Sequence, residues 1–431
     1  MKKQRRLSVH AIEPEVLSVI LRCSDCDAQL SVLPRFNLDF MHEQSSLAAQ
    51  GAPCRAGNVG ARMSQGDDAI LINGRFLMQP VTGVQRVARE LVSEMDRMVG
   101  AGETAHRIAL ACEPDADVST LGLRHIEVER RGGASGHLWE QLVLPRMVAG
   151  RRLLCLGNTA PLASALAGQR VAVMIHDVSY LSLPQAYSLR YRWAHRALLP
   201  VLLRRADPIF TVSVTERERL KRLNGPAGKR IVAIQNGGWS HDRVERGAPG
   251  THDGERERMV LYVGSLSRRK NVERVIAVAQ RLAREDGVRT VLVGASNEIL
   301  APIRASVAPD VAHMLEFVGQ VPCLEALAGY YRRASCLLFP SLYEASPLPP
   351  VEAMSLGCPV VASAIPSMTE RCGTAALYCD PLDSEDILAA VRRVLGDPAL
   401  AQSLRAQGFA RAEGFSWREQ ARRILQVMTA S

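Results

Sequence analysis

A chain of 431 residues is too long for one ordinary domain and long enough for two, each with a sizeable core. Hydrophobic residues at 47% and charged residues at 23% exclude wholesale disorder and a fibrous fold, and no apolar run approaches the ~18 residues of a membrane span. The 53 Lys and Arg against 44 Asp and Glu leave a charge of +9, which favours anionic partners such as nucleotides or phospholipid surfaces; their dispersal, without interleaved aromatics, argues against nucleic acid.

The basic opening Met1 to Arg6 is followed by a stretch broken by His10, Glu13, Pro14 and Glu15 instead of an apolar signal core. A cytoplasmic protein with ten reduced cysteines is expected. Cys23 and Cys26 form one CxxC, but Cys54 stands alone and His10 and His42 are badly spaced, so no metal site is expected there. Residues 1–67 lack sustained periodicity and read either as a poorly ordered extension or as an early start, with Met63 the alternative start and residues 1–62 then missing from the mature chain.

From Ala69 short apolar runs alternate with amphipathic stretches, the pattern of a parallel sheet with helical crossovers. A strand is predicted at 69–73; after a turn carrying Gly83, Val84, Val87, Ala88, Leu91, Val92 and Met95 recur at helical spacing. Further strands are predicted at 107–112, 125–128, 153–156, 171–175, 209–212 and 231–234. Residues 240–258 are charged, bear Gly and Pro, and read as a linker. A second series follows, with strands at 259–263, 290–293, 315–318, 336–339, 360–362 and 376–378. The expected organisation is a domain at 68–240, a linker at 241–257 and a domain at 258–431: an α/β protein of two doubly wound Rossmann-like domains facing across a cleft.

Three segments carry chemistry. Residues 339–363, FPSLYEASPLPPVEAMSLGCPVVAS, read as a buried strand ending at Pro340, a loop, and a helix opening near Pro349. Proline is tolerated in a first helical turn, which puts Glu352 on that turn and Glu344 in the loop, two carboxylates directed into one crevice. In 261–276, LYVGSLSRRKNVERVI, Gly264 lets the backbone approach a ligand, and Arg268, Arg269 and Lys270 precede a helix whose free N–H groups suit a diphosphate. In 173–180, VMIHDVSY, a strand delivers His176 and Asp177 to its carboxyl end. The plain readings beside these are a solvated loop glutamate, a first-turn glutamate favoured by the helix dipole, a solvated basic cluster and a structural histidine.

The two glutamates, eight positions apart and flanked by PSLYE, LPP and GCPVVAS, make the sequence resemble the retaining, sugar-nucleotide-dependent glycosyltransferases of the GT-B fold, glycosyltransferase family 4, also called group 1. The resemblance covers roughly residues 69–430 and takes in TVSVTERERL from Thr211, IQNGGW from Ile234 and FSWREQARRIL from Phe415, the last implying a helix that crosses back to brace the first domain. It implies that Glu352 accepts hydrogen bonds from the nucleotide ribose, that Glu344 contacts the donor sugar, and that Lys270, with Arg269 second, binds the leaving phosphate. It places His176 against the donor sugar and phosphate, and Gly83 near the acceptor or the phosphates, with Arg75 and Arg86 as anion contacts unless Arg86 simply lies on the helix surface. Two departures stand out. Ser265 occupies a place where many members have Arg, with Arg268 available to compensate. Ala345, Ser346 and Pro347 replace Gly-Phe-Gly, and since Pro347 has no N–H, donor contacts pass to amides such as that of Leu348.

The implied activity is hexosyl transfer, mannose first, from a nucleotide-sugar, GDP-mannose first and UDP-sugars next, to a glycan or polyprenyl-linked oligosaccharide in bacterial surface polysaccharide biosynthesis. No prosthetic group and no metal are expected, because Lys270 and Arg269 take the part of a divalent ion at the leaving group. Attack on the donor from the face of the leaving group is expected, with a double displacement through Glu344 as the alternative. Peripheral contact with the inner face of the cytoplasmic membrane is expected from the lipid-linked acceptor. The competing readings are a nicotinamide-dependent oxidoreductase, opposed by the lack of a GxGxxG turn, a nucleotide-sugar-binding protein without transfer activity, and a GT-B epimerase.

Overall fold

The computed structural model describes residues 69–224, 231–239, 256–295 and 300–429. The expectations for residues 1–67, with Cys23, Cys26, Cys54 and Met63, and those for 240–255 fall outside them.

Two parallel sheets organise the described chain. The first comprises β1 (Ala69–Asn73), β2 (Arg107–Cys112), β3 (Glu127–Arg130), β4 (Arg152–Cys155), β5 (Val171–Ile175), β6 (Ile209–Thr211) and β7 (Ile231–Ala233), in spatial order 3-2-1-4-5-6-7. The second comprises β8 (Glu257–Val263), β9 (Arg289–Val293), β10 (Leu315–Gly319), β11 (Ala334–Phe339), β12 (Val360–Ser363) and β13 (Leu377–Cys379), in order 10-9-8-11-12-13. Each order reverses beside its first strand, the doubly wound Rossmann-like arrangement. A parallel sheet is covered on both faces, which is why its central strands are apolar runs without alternation: Val171–Ile175 is buried at all five positions. Each sheet accordingly has a hydrophobic core on either side.

The helices supply that cover. Helix α1 (Gly83–Gly100) buries Val87, Ala88, Leu91, Val92 and Met95 along one stripe. It is followed by α2 (Leu189–Arg205), α3 (Val214–Asn224), α4 (Val272–Asp286), α5 (Leu324–Arg333), α6 (Leu348–Ser355), α7 (Pro366–Cys372) and, near the C-terminus, α8 (Trp417–Thr429), with shorter and further helices between them. Helix α8 packs on α1, and its Trp417, Ala421, Ile424, Leu425 and Met428 enter the core of the first sheet.

Several boundaries differ from those expected by one or two residues, and three differences have an identifiable cause or consequence. The third strand starts at Glu127, because the N–H groups of Arg124, His125 and Ile126 all donate to the Asp96 carboxylate at the end of α1, at 2.8–3.1 Å, instead of entering the ladder. Residues Glu257 and Arg258, read as the end of a linker, belong to β8, where Glu257 pairs with Ala334 and with Arg289 at 2.6 Å. Arg256 before them is clamped by the carbonyls of Tyr331, Ala334, Leu356 and Gly357. Glu352 does not lie on a first helical turn: α6 opens at Leu348, with Pro347 as its cap residue, so the glutamate falls one turn further on. Among the described residues no helix is long and apolar enough to cross a membrane.

Candidate active site

Strand β8 ends at Val263, and Gly264 turns the chain out of the sheet. Its neighbour is Gly294 at the end of β9, where a Cβ would lie 1.8 Å from the Gly264 carbonyl oxygen. Only a residue without a side chain lets the two loops pass at this distance. The Ser265 carbonyl accepts from the Tyr262 hydroxyl at 2.9 Å, and the Ser265 and Ser267 hydroxyls lie 3.3 Å apart. A short 3-10 turn, Arg268–Lys270, follows, and Asn271 at φ 60° leads into α4.

This turn separates the three cations. Arg268 points to solvent and pairs with Glu273 at 3.4 Å, so it does not compensate for the arginine missing at Ser265. Lys270 turns inward: its Nζ sits 2.5 Å from Glu344 Oε1 and 4.5 Å from the centre of the Phe339 ring. Arg269 comes within 3.5 Å of the same oxygen and donates to the Tyr343 carbonyl at 3.1 Å. Lys270 and Glu344 are both buried. Burial lowers the Lys270 pKa from its ordinary value, with Glu344 working against that shift and Arg269 adding to it. For Arg269 burial also acts downward, but Glu344 and Asp177 outweigh it and raise the value, so its charge is secure.

Glu352 forms a separate group. Its Oε1 meets Nη1 of Arg86, from α1 of the first sheet, at 2.6 Å, and its Oε2 accepts from the Tyr331 hydroxyl at 2.8 Å. Arg86 is thus neither a free anion contact nor a surface residue; it stacks 5.7 Å over Trp239 and crosses to the second sheet. The two glutamates share no partner. In both, Oε1 is buried and meets its cation as a close ion pair.

His176 follows β5 as expected and is buried, its Nε2 2.8 Å from the Leu156 carbonyl oxygen and its N–H 2.6 Å from the Asn158 side chain. Burial lowers its pKa, so the ring is neutral, donates through Nε2 and keeps Nδ1 as an acceptor. Gly83 opens α1 instead of sitting in the preceding turn, and a Cβ there would touch nothing within 4 Å. The Leu348 amide is the first of α6, where it has no partner within the helix. Arg75 is drawn inward to Glu140 at 3.3 Å and Thr159 at 2.8 Å. An Asp-x-Asp triplet, Asp115 to Asp117, follows β2, where Asp117 accepts from the N–H and hydroxyl of Ser119.

Three side chains escaped the sequence. Glu216 on α3 accepts from the Tyr343 hydroxyl at 2.9 Å, from Arg219 at 2.8 Å and from the Val178 N–H at 2.9 Å, while burial and Asp177 raise its pKa. Glu370, from α7 of the second sheet, accepts from the N–H groups of Val214 and Thr215, each at 2.7 Å, and so caps α3 of the first. Arg371 is fully buried and donates to the carbonyls of Asn236, Gly237 and Pro347 with the Phe415 ring 3.9 Å away. Burial pushes its pKa down to about 9. Each of the three has at least one partner more than a hundred residues distant, Tyr343 for Glu216, Val214 and Thr215 for Glu370, and Asn236 and Gly237 for Arg371, so no local pattern marks them.

The family model for glycosyl transferases group 1 matches residues 250–411, which holds both glutamates and the Gly264 loop. The O-antigen chain mannosyltransferase B of Escherichia coli is 30% identical over 261 residues, 58% of this chain and 67% of that protein. A glycogen synthase of Mycobacterium tuberculosis is 32% identical over 234 residues, 53% of this chain and 56% of that one. Among solved structures, the sucrose-phosphate synthase of Thermosynechococcus elongatus superposes with a TM-score of 0.65 at 22% identity, over 84% of this chain and all of that one, a likeness of fold. With two Rossmann-like sheets in the GT-B arrangement and this match running through the loop that carries the cations, the chain belongs to the group 1 glycosyltransferases.

Proposed function

We propose that the chain is a retaining, metal-independent glycosyltransferase that moves mannose from GDP-mannose, with UDP-sugars the next donor class, to a glycan or polyprenyl-linked acceptor in bacterial surface polysaccharide assembly. The observation that carries this reading is the buried pair of Lys270 and Glu344, joined by the partly exposed Arg269, behind the Gly264 loop. It lies past the carboxyl ends of β8 and β11, where open α/β sheets bind ligands. Mannose and polysaccharide are supported by the Escherichia coli relative, an O-antigen chain mannosyltransferase.

In the proposed reaction the donor diphosphate lies against Lys270 and Arg269. The bond between the anomeric carbon and the phosphate oxygen breaks, and its electron pair leaves with the diphosphate. Two fixed cations at that point stabilise the growing negative charge, the part a metal ion plays elsewhere. The acceptor hydroxyl attacks from the same face of the sugar, and its proton passes to the departing phosphate oxygen. Glu344 orients Lys270 and takes a sugar hydroxyl. Glu352 takes the ribose hydroxyls once Arg86 yields it, and the Leu348 N–H replaces the donors lost with Gly-Phe-Gly. His176 presents its neutral ring to the donor sugar. An acceptor carried on a lipid keeps the enzyme at the inner face of the cytoplasmic membrane as a peripheral protein.

Thermal melting with GDP-mannose, UDP-glucose and ADP-glucose tests the donor, because a ligand at a hundred times its Kd stabilises the folded state by about 2.7 kcal/mol. The largest rise is expected with GDP-mannose. Transfer should survive a chelator and give a product of retained anomeric configuration by NMR; an inverted anomer would overturn the mechanism.

A further inference from the structure

Between Asp177 and Asp207 the chain contains no acidic residue, and α2 within that stretch carries Arg190, Arg192, Arg196, Arg204 and Arg205. Leu189 is 66% exposed and Trp193 70%, whereas the other three tryptophans, Trp139, Trp239 and Trp417, are buried. At 3.6 residues per turn, Leu189, Trp193, Ala197, Pro200 and Arg204 fall on one stripe, bordered by Arg190 and Arg196. Leu198, Leu199 and Leu202 turn the other way, into the core of the first sheet. The short helix Leu162–Leu166 packs beside α2, with its own Leu166 46% exposed.

The two ends of α2 sit in different places. Near its start, Tyr187 and Tyr191 stack at 5.1 Å and Tyr191 and His195 at 3.8 Å, and the Tyr187 hydroxyl contacts Ser179, which donates to Asp177 beside His176. At its other end, Arg204 and Arg205 join Arg152 and Arg170 in lining a cavity of about 350 Å³, with Asp207 as its lone acid. That cavity lies at the amino ends of β4 and β5, the opposite edge of the sheet from His176. The helix thus runs the depth of the sheet, from the mouth of the candidate site to a basic recess.

We propose that α2 is the face by which the protein lies on an anionic lipid surface, its Leu189–Trp193 stripe at the acyl boundary and its arginines among the lipid phosphates. An exposed tryptophan between arginines matches the interface of a bilayer, where the ring is half wet and the phosphates are anionic. A protein partner would need carboxylates placed against five arginines, whereas a lipid surface supplies negative charge everywhere. The arrangement lies on the membrane and does not span it, since α2 carries too much charge to enter. This assignment rests on the lipid-linked acceptor reading above and gives it a geometry: the end of α2 nearest His176 holds the site at headgroup level.

The test is co-sedimentation of the full chain with vesicles of phosphatidylcholine alone or mixed with phosphatidylglycerol. Wild type should bind the mixed vesicles only, with affinity falling as salt rises. Trp193→Asp and the double variant Arg190→Glu, Arg196→Glu should lose affinity, by roughly fivefold or more for each arginine reversed, while melting temperature and donor hydrolysis stay at wild-type values. Leu382→Asp, at an equally exposed leucine on the second sheet's side, serves as the control and should bind as wild type does. Wild type that ignores anionic vesicles overturns both this surface and the peripheral reading; variants that bind like wild type overturn the surface alone. A chain that is dimeric in solution and becomes monomeric on Trp193→Asp would also overturn it, giving the stripe to a second copy.

Discussion

Lys270 is held between two opposing demands. Burial favours its neutral form, while Glu344 and, in the proposed reaction, the diphosphate favour the charged one. Lys270→Ala should therefore lower kcat by about 10²–10³-fold with little change in donor Kd, whereas Glu352→Ala should weaken donor binding with a smaller effect on kcat. Calorimetry beside steady-state kinetics separates the two, and the reverse pattern would sink the assignment. The lowered Lys270 pKa also has a sign. Turnover should fall on the alkaline side before pH 10.5, the ordinary lysine value. Stability should move the other way over that interval, because the unfolded chain then binds more protons than the folded one. His176 governs the acid side: its folded pKa lies below 6.5, so its contribution is complete above that pH and is lost as pH falls through the folded value. His176→Gln, whose amide can still donate to Leu156, should remove that part of the urea-midpoint dependence on pH. Lys270 and Glu344 stand out in the sequence because they lie in short, dense motifs; what each pairs with does not, since the same letters allow Arg268 to face solvent and Lys270 to turn in.

At the level of elements, strands buried on both faces announce themselves as unbroken apolar runs, and all thirteen described strands lie on or within two residues of the predicted ones. The exceptions trace to single side chains. Asp96 draws off the amides that would have begun β3, and Leu348, not Pro349, opens α6. What no periodicity reveals is help from another element. Helix α3 is capped by Glu370 from across the cleft. Glu370→Ala should cost about 1–2 kcal/mol in urea unfolding, and Glu370→Gln less, since one amide oxygen can still accept. A loss below a few tenths of a kcal/mol would show that water caps α3 equally well.

Over the whole molecule, Arg86 is one of the contacts that tie the second sheet, at Glu352, to the first. Because it occupies the oxygen that the ribose is proposed to use, Arg86→Ala should have two effects in thermal melts. The ligand-free protein should melt lower, a buried carboxylate left without its cation costing about 3–5 kcal/mol, and the rise on adding GDP-mannose should exceed that of wild type. Equal rises would mean that the pair persists beside bound donor. The last helix sets a different kind of limit. Since α8 belongs by sequence to the second half yet fills the core of the first, a chain cut between residues 240 and 255 would yield two fragments of unequal fate. The earlier fragment lacks Trp417, Ala421 and Ile424 and would aggregate when made alone; supplied with the later fragment in the same cell, it should regain a soluble, paired form. Such split halves offer a reporter whose signal depends on reunion across this one helix.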